Sequence, residues 1–240
     1  MGTFYPLLSI FVLYVWFVKK AGPNFMKNRT AFKLNTLTRV YNLYQTISCA
    51  ALLILVPEIS GAYHPWLCGV PMSAEEFQAY PETLAPICWC LIILRTSELL
   101  EGVFFVLRKK QNQVSLLHVF HHISVVSIMW LFVKYSVDKT CGFIFAINTA
   151  VHLVMYSWYF ASSFQSLKPI TTRVKPLLTA VQIAQLVAMC THCVYAIHSC
   201  ENAPKFYYLL AAVIVILIGM FLNFYMKSYR SKSKPTESRL

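Results

Sequence analysis

Residues 107–133 read LRKKQNQVSLLHVFHHISVVSIMWLFV. Arg108, Lys109 and Lys110 come first, then a short polar stretch, then a run over 114–133 with no formally charged residue. That run is long enough, at about 20 residues, to cross a bilayer as a helix. Within it stand His118, His121 and His122. Helical positions i, i+3 and i+4 share one face, so the three imidazoles are expected to point the same way. A single histidine there reads as a core residue bonded to a neighbouring helix. Three on one face read as a site, because ionisable groups at membrane depth are costly and mark function.

The rest of the chain extends this pattern. Of 240 residues, 58% are hydrophobic, 15% aromatic and 12% charged, about half the charge of a soluble domain. That balance excludes a soluble monomer, and the aromatic content excludes a disordered chain. Seven apolar stretches are expected to span: 3–18, 40–56, 84–107, 114–133, 141–164, 177–197 and 207–226. The fold class is therefore all-α, a polytopic membrane protein of seven transmembrane helices, six of them enclosing an apolar tunnel. One transmembrane domain covers 1–226, and a basic, disordered, cytosolic tail covers 227–240. In the first stretch Lys19 and Lys20 follow the apolar run and no small-residue cleavage site ends it, so it reads as an anchor and not a signal peptide.

Charge sets the orientation. The net charge is +12, and most basic residues fall in alternate loops: Lys19, Lys20, Lys27, Arg29, Lys33 and Arg39, then Arg108, Lys109 and Lys110, then Lys168, Arg173 and Lys175, then the tail. The acids Glu58, Glu75, Glu76, Glu82, Asp138 and Glu201 fall in the other set, with Lys134, Lys139 and Lys205. The positive-inside rule puts the C-terminus in the cytosol and the N-terminus in a lumen. Asn28-Arg29-Thr30 matches a glycosylation sequon but falls on the cytosolic side, where it is not used. Cys68 and Cys200 lie in two loops on the lumenal side, and an oxidising lumen predicts a disulfide between them. The remaining cysteines, Cys141 at a span end apart, sit in apolar spans and are expected to be reduced.

Three further polar groups lie inside spans. Asn148, His152 and Met155 share a face, with Tyr156 at its edge. Arg95 and Glu98 are spaced for an i, i+3 ion pair, and Glu101 continues that face. This group reads equally as a packing device and as part of a site. Thr179, Gln182 and Gln185 can orient a ligand or tie helices together. His192, nearer the lumenal end, reads as structural.

These clusters, in this order, resemble the signature set of the very-long-chain fatty acid elongase family, the membrane 3-ketoacyl-CoA synthases. His118–His122 matches HxxHH, with Leu107-Arg108-Lys109-Lys110 and Val114-Ser115-Leu116-Leu117 before it. Asn148–Tyr156 is similar to NxxxHxxMY, Thr179–Gln185 to TxxQxxQ, and Asn223-Phe224-Tyr225 to a feature of the last span. Gly22-Pro23 with Asn28-Arg29 is similar to insect members in particular. The family motif KxxExxDT reads Arg95, Glu98, Glu101 and Gly102 here, so a longer carboxylate replaces Asp and a hydroxyl is lost. Restoring Asp and Thr at 101 and 102 is expected to keep or raise activity.

The resemblance implies condensation of a long-chain acyl-CoA with malonyl-CoA, with loss of CO2 and CoA, to a 3-oxoacyl-CoA two carbons longer. It implies that His121, alone or with His152, takes the acyl group as an acyl-imidazole, and that His122, His118, Asn148 and Tyr156 donate to the enolate. Arg95 and Glu98 are expected to orient the histidines. Glu101, Gln182, Gln185, Asn223 and Tyr225 are expected at the substrate, and Arg108, Lys109, Lys110, Lys168, Arg173 and Lys175 at the CoA phosphates. No metal and no cofactor beyond these substrates is expected. The expected setting is the endoplasmic reticulum membrane, with the other enzymes of the elongation cycle as partners, a homodimer allowed, and no nucleic acid. Two alternatives stay open: an impaired homologue acting as a partner subunit, and a histidine-box di-iron desaturase, although such enzymes need about eight histidines and this chain has seven.

Overall fold

The computed structural model describes residues 3–60, 68, 84–135, 141–200 and 205–230. All regular structure among them is helical. In chain order α1 is Tyr5–Trp16, α2 Gly22–Met26, α3 Asn35–Ser60, α4 Leu84–Ser97, α5 Leu100–Leu107, α6 Leu116–Tyr135, α7 Gly142–Ser162, α8 Lys168–Ser199 and α9 Phe206–Tyr225. Helix α3 packs along α7, α8 along α9 and against α7, and α4 against α6 and α3. The interior carries Arg95, Glu98, Gln45, His122, His152, Gln185 and His192, while Val12, Leu13, Ile47, Ile54, Ile93 and Ile216 are exposed. A polar inside and an apolar outside suit a bundle surrounded by lipid.

Among the described residues, five helices are long and apolar enough to cross a membrane: Tyr5–Met26, Leu116–Tyr135, Gly142–Ser162, Gln165–Ser199 and Phe206–Tyr229. The expected stretch 40–56 lies inside α3, where Asn42, Gln45, Thr46 and Ser48 dilute the apolar run. The expected stretch 84–107 is not one helix. It breaks at Glu98 and Leu99, where Leu99 N bonds Thr96 O at 3.2 Å and Glu101 N bonds Glu98 O at 3.1 Å. Polar backbone freed at membrane depth has to be met from within the protein. Here α3 contributes one backbone contact, Tyr41 Oη donating to Ser97 O at 3.5 Å, while Gln45 Nε2 donates at 2.9 Å to the Ser97 hydroxyl, which itself donates to Leu94 O at 2.7 Å.

The first span is longer than its apolar run. A π-helical turn over Phe17–Ala21 joins α1 to α2, so Lys19 and Lys20 stand in the helix and not in a loop. Lys19 Nζ donates to Val114 O at 2.9 Å, its stem running along apolar surface to a polar end. Leu7, Phe11 and Tyr14 form the buried face of α1, and Phe4 packs edge-on to Trp130 of α6 at 4.9 Å. Gly22 permits the approach to α5, since a Cβ there would meet Val106 Cγ1 at 2.6 Å. At the other end of the chain, Met226–Arg230 continues α9 as a π turn, so the helix runs past the expected tail boundary at Lys227.

Glu75, Glu76, Glu82, Asp138, Lys139, Glu201, His64 and the tail from 231 lie outside the described residues. Cys68 is described, and it is joined to Cys200 in a disulfide across a sequence separation of 132. Such a bridge stabilises mainly by limiting the unfolded chain, here by about 4–5 kcal/mol in the entropic model. Cys200→Ser is expected to lower the Tm of purified protein without reductant and to leave it unchanged relative to wild type in excess reductant.

Candidate active site

The break in the 84–107 stretch puts Arg95 and Glu98 against α7. Arg95 Nη1 donates to Glu98 Oε1 at 2.5 Å and lies 2.6 Å from His152 Nδ1, and Nη2 donates to Thr149 Oγ1 at 3.2 Å. His152 Nδ1 is 3.0 Å from Glu98 Oε1, and Glu98 Oε2 is 3.8 Å from His122 Nδ1. One carboxylate thus bridges α4, α6 and α7. Arg95 and Glu98 are each 1% exposed, and a pair so buried holds only while its partners stay in place. Nδ1 of His152 either donates to Glu98 or accepts from Arg95. In the first case Nε2 keeps its lone pair, and in the second Nε2 bears the proton.

His121 and His152 face each other across α6 and α7, with ring centroids 6.4 Å apart and planes inclined by 23°. Phe221 of α9 closes on the His121 ring at 6.1 Å. His121 and Asn148 also line a narrow cavity of about 60 Å³ between α6, α7, α8 and α9. Its other walls are mainly apolar, among them Ile128, Ile144, Leu186, Met189 and Leu217, and it reaches Cys141 and Phe206. Cys141 precedes Asn148 by seven residues, so the cavity extends about 10 Å along α7 from the histidines. Cys141 Sγ lies 3.1 Å from Tyr207 Oη at that far end. His192 packs there against Phe143 and Tyr207.

The three box histidines do not share one environment. His121 turns to the cavity, whereas His118 and His122 pack ring to ring at 4.4 Å, with Phe105 against His118 at 5.3 Å. Glu101, beyond the break, does not continue the Arg95–Glu98 pair as its spacing implied. Its Oε2 stands 3.9 Å from His122 Nε2. Tyr156 is fully buried, with its ring 5.9 Å from that of His152.

Other expected site residues are placed elsewhere. Gln182 Nε2 donates to Met155 Sδ at 3.2 Å and Gln185 Nε2 to Met189 Sδ at 2.8 Å, so both amides are directed to sulfur. Asn223 is exposed, and the Tyr225 ring packs on Tyr229 at 5.2 Å. Tyr229 in turn meets Thr179 Oγ1 at 3.3 Å. Thr149, Phe221 and Tyr14 were missed. Thr149 sits three residues before His152, a spacing that places it on the same face. Nothing in the sequence marks Phe221 or Tyr14.

On the basic side, Arg108, Lys110 and Lys168 come together. Burial, and then repulsion from Arg108 and Lys168, holds Lys110 below its ordinary value. Arg173 and Lys175 are exposed on the first turns of α8. Lys109 takes a left-handed backbone, φ 55°, and reaches Lys27 O at 3.5 Å.

The fold and site define a multi-helix membrane protein with a buried histidine–carboxylate centre opening on an apolar cavity. The family profile described as "ELO: GNS1/SUR4 family" matches residues 1–237, and the chain belongs to that family. Very long chain fatty acid elongase 4 of Homo sapiens is 30% identical over 237 residues, covering 98% of this chain and 74% of its own length. A very long chain fatty acid elongase of Aedes aegypti is 31% identical over 243 residues, 98% of this chain and 66% of its own. Very long chain fatty acid elongase 2 of Rattus norvegicus is 31% identical over 240 residues, 97% of this chain and 81% of its own.

The geometry at Gly102 revises the expectation for Asp-Thr at 101 and 102. A Cβ on Gly102 would run into the Tyr14 hydroxyl and would meet Tyr14 Cε2 at 2.9 Å, and Tyr14 is itself buried. Gly102→Thr alone is expected to cost about 1–3 kcal/mol through overpacking, read as a lower Tm. Tyr14→Leu combined with Gly102→Thr is expected to recover most of that loss.

Proposed function

We propose that this protein is the condensing enzyme of fatty acid elongation, joining a long-chain acyl-CoA to malonyl-CoA. The observation that carries the proposal is His121, which lines an apolar cavity while facing His152. An acyl chain lying in the cavity brings its thioester to the two imidazoles. His121 attacks the thioester carbonyl, the C–S bond breaks, and CoA leaves as the thiol with the imidazole proton. Malonyl-CoA then loses CO2, and its enolate attacks the acyl carbonyl and expels the imidazole, whose nitrogen takes back a proton from solvent to replace the one that left with CoA. The product is a 3-oxoacyl-CoA two carbons longer. The enolate oxygen needs donors, and His152 supplies one from Nε2 when its Nδ1 accepts from Arg95. Asn148 lines the same cavity.

The same proposal includes seven spans, with α3 and the α4–α5 pair crossing beside the five apolar helices, and a setting in the endoplasmic reticulum membrane. Seven crossings put Arg108, Lys110 and Lys168 in the cytosol with the CoA substrates and Cys68 and Cys200 in an oxidising lumen. The other enzymes of the elongation cycle are proposed as partners.

His121→Ala is expected to abolish condensation in microsomes given labelled malonyl-CoA and acyl-CoAs, while membrane insertion persists. Wild-type protein incubated with acyl-CoA alone should carry an acyl mass on the His121 peptide. Product from His121→Ala near the wild-type level would remove His121 from the mechanism, and a wild type inactive on every acyl-CoA would favour a partner subunit.

Lys110→Gln is expected to raise the KM for acyl-CoA severalfold with little change in kcat. The difference should shrink as salt is raised, because exposed charge pairs are screened.

A further inference from the structure

We propose that Glu101 is a neutral carboxylic acid that directs its proton to His122 Nε2, which makes it the positioning residue of that imidazole. His122 stands between two carboxyl groups. Its Nδ1 is 3.8 Å from Glu98 Oε2, and its Nε2 is 3.9 Å from Glu101 Oε2. A neutral imidazole carries one N–H and one lone pair, so it donates to one of these groups and has to accept a proton from the other. Both gaps are about an ångström longer than a hydrogen bond, and contacts of this kind commonly tighten in the complex with substrate.

Charge decides which carboxyl group is the donor. Arg95 bonds Glu98 Oε1 at 2.5 Å with both side chains buried, so Glu98 is the anion and Arg95 its cation. The ion-pair contact of Glu101 among the described residues is His122. The other titratable groups around Glu101 are Tyr14 of α1, Tyr41 of α3, Glu98, and Tyr156 and Tyr159 of α7, with His118 in the same cluster on α6. None of these brings a fixed positive charge, and Glu98 adds a negative one. Ionised, Glu101 would be a second buried anion against one guanidinium, which costs far more than a neutral acid. An ionised Glu101 beside a His122 imidazolium keeps the net charge but places two further charges in the apolar interior, where the neutral pair places none.

The hydroxyls agree. Tyr41 Oη accepts from Gln45 Nε2 at 3.0 Å and turns its proton to Ser97 O, so it does not donate to Glu101. Tyr156 Oη and Glu101 Oε1 are buried and form no hydrogen bond among the described residues. The carbonyl oxygen of an acid tolerates that position better than a carboxylate oxygen does.

The consequence falls on Glu98 and His152. With Nε2 accepting from Glu101, His122 turns its Nδ1 proton to Glu98 Oε2. Arg95 covers Oε1, so both oxygens of Glu98 have a donor without His152. His152 Nδ1 is then the acceptor for Arg95 Nη1, 2.6 Å away, and Nε2 bears the proton. That is the tautomer the enolate step uses, and this last link rests on the condensation reading, whereas the proton on Glu101 does not.

The test has two arms on the full chain purified in detergent. Infrared spectra at neutral pH without substrate are expected to show a buried protonated-carboxyl band in wild type that is lost in Glu101→Gln. In the condensation assay Glu101→Gln, whose amide N–H can donate to His122 as the acid does, is expected to keep about tenfold more kcat than Glu101→Met, which has similar shape and no donor. The KM for malonyl-CoA should stay near the wild-type value in both. No such band in wild type, a band that persists in Glu101→Gln, or equal losses of kcat in the two variants overturns the proposal. The infrared arm needs neither the Met variant to fold nor wild type to condense, so it separates a failure here from a failure of the condensation reading.

Discussion

Glu98 sits at the turn between α4 and α5, and its carboxylate meets Arg95, His152 and His122 from three helices. A carboxylate in an apolar bundle is stable only when paired, so these contacts constrain one another. Arg95 neutralises it, His152 fills the remaining position, and Thr149 takes the second guanidinium nitrogen. Moving α7 relative to α4 would strand at least one of these groups. The relative position of His121 and His152, on which the proposed chemistry rests, therefore follows from a charge that the bundle has to satisfy.

The broken helix is the backbone side of the same constraint. A continuous helix over 84–107 would leave its carbonyls paired internally and would need nothing from α3. The turn at Glu98 and Leu99 frees backbone groups; Tyr41 of α3 donates to the Ser97 carbonyl, and Gln45 holds the Ser97 hydroxyl beside it. Polar residues in α3 that lower its hydropathy are thus used to hold the break. The N-terminal helix supports the other side, where Tyr14 lies against Gly102 and Val106 packs at Gly22.

Periodicity and charge made much of this legible. The histidine triplet at i, i+3 and i+4, the Asn148–Tyr156 face and the Arg95–Glu98 pair were readable because helical spacing alone brings such residues together. The pairing of Cys68 with Cys200 was readable because charge alternation puts both loops on one side. What escaped was tertiary. A break at Glu98 is invisible in an apolar stretch without proline or glycine at the turn, since the driving interaction comes from another helix. The different environments of His121 and His122 depend on which neighbours flank α6, and the diversion of Gln182 and Gln185 to methionine sulfur depends on side-chain direction. The extent of the first span was hidden by Lys19 and Lys20, which mark a boundary in a sequence yet extend a helix when one of them finds a carbonyl to bond.

The division of the centre into two sides follows from what each side touches. In the proposed mechanism an acyl-imidazole has to be kept from water, and His121 stands beside the apolar wall with Phe221 over its ring. The charge that the proposed decarboxylation and attack would develop needs polar partners instead, and such groups gather on the far side of His121, around Glu98, His152 and Tyr156. A single helix turn serves both demands because i+3 and i+4 diverge by about 100° on the helix surface. His121 is left facing the cavity while His122 faces the carboxylates. Two adjacent histidines in the box are therefore not equivalent: the step of one residue is what separates the cavity-facing position from the one beside the carboxylates.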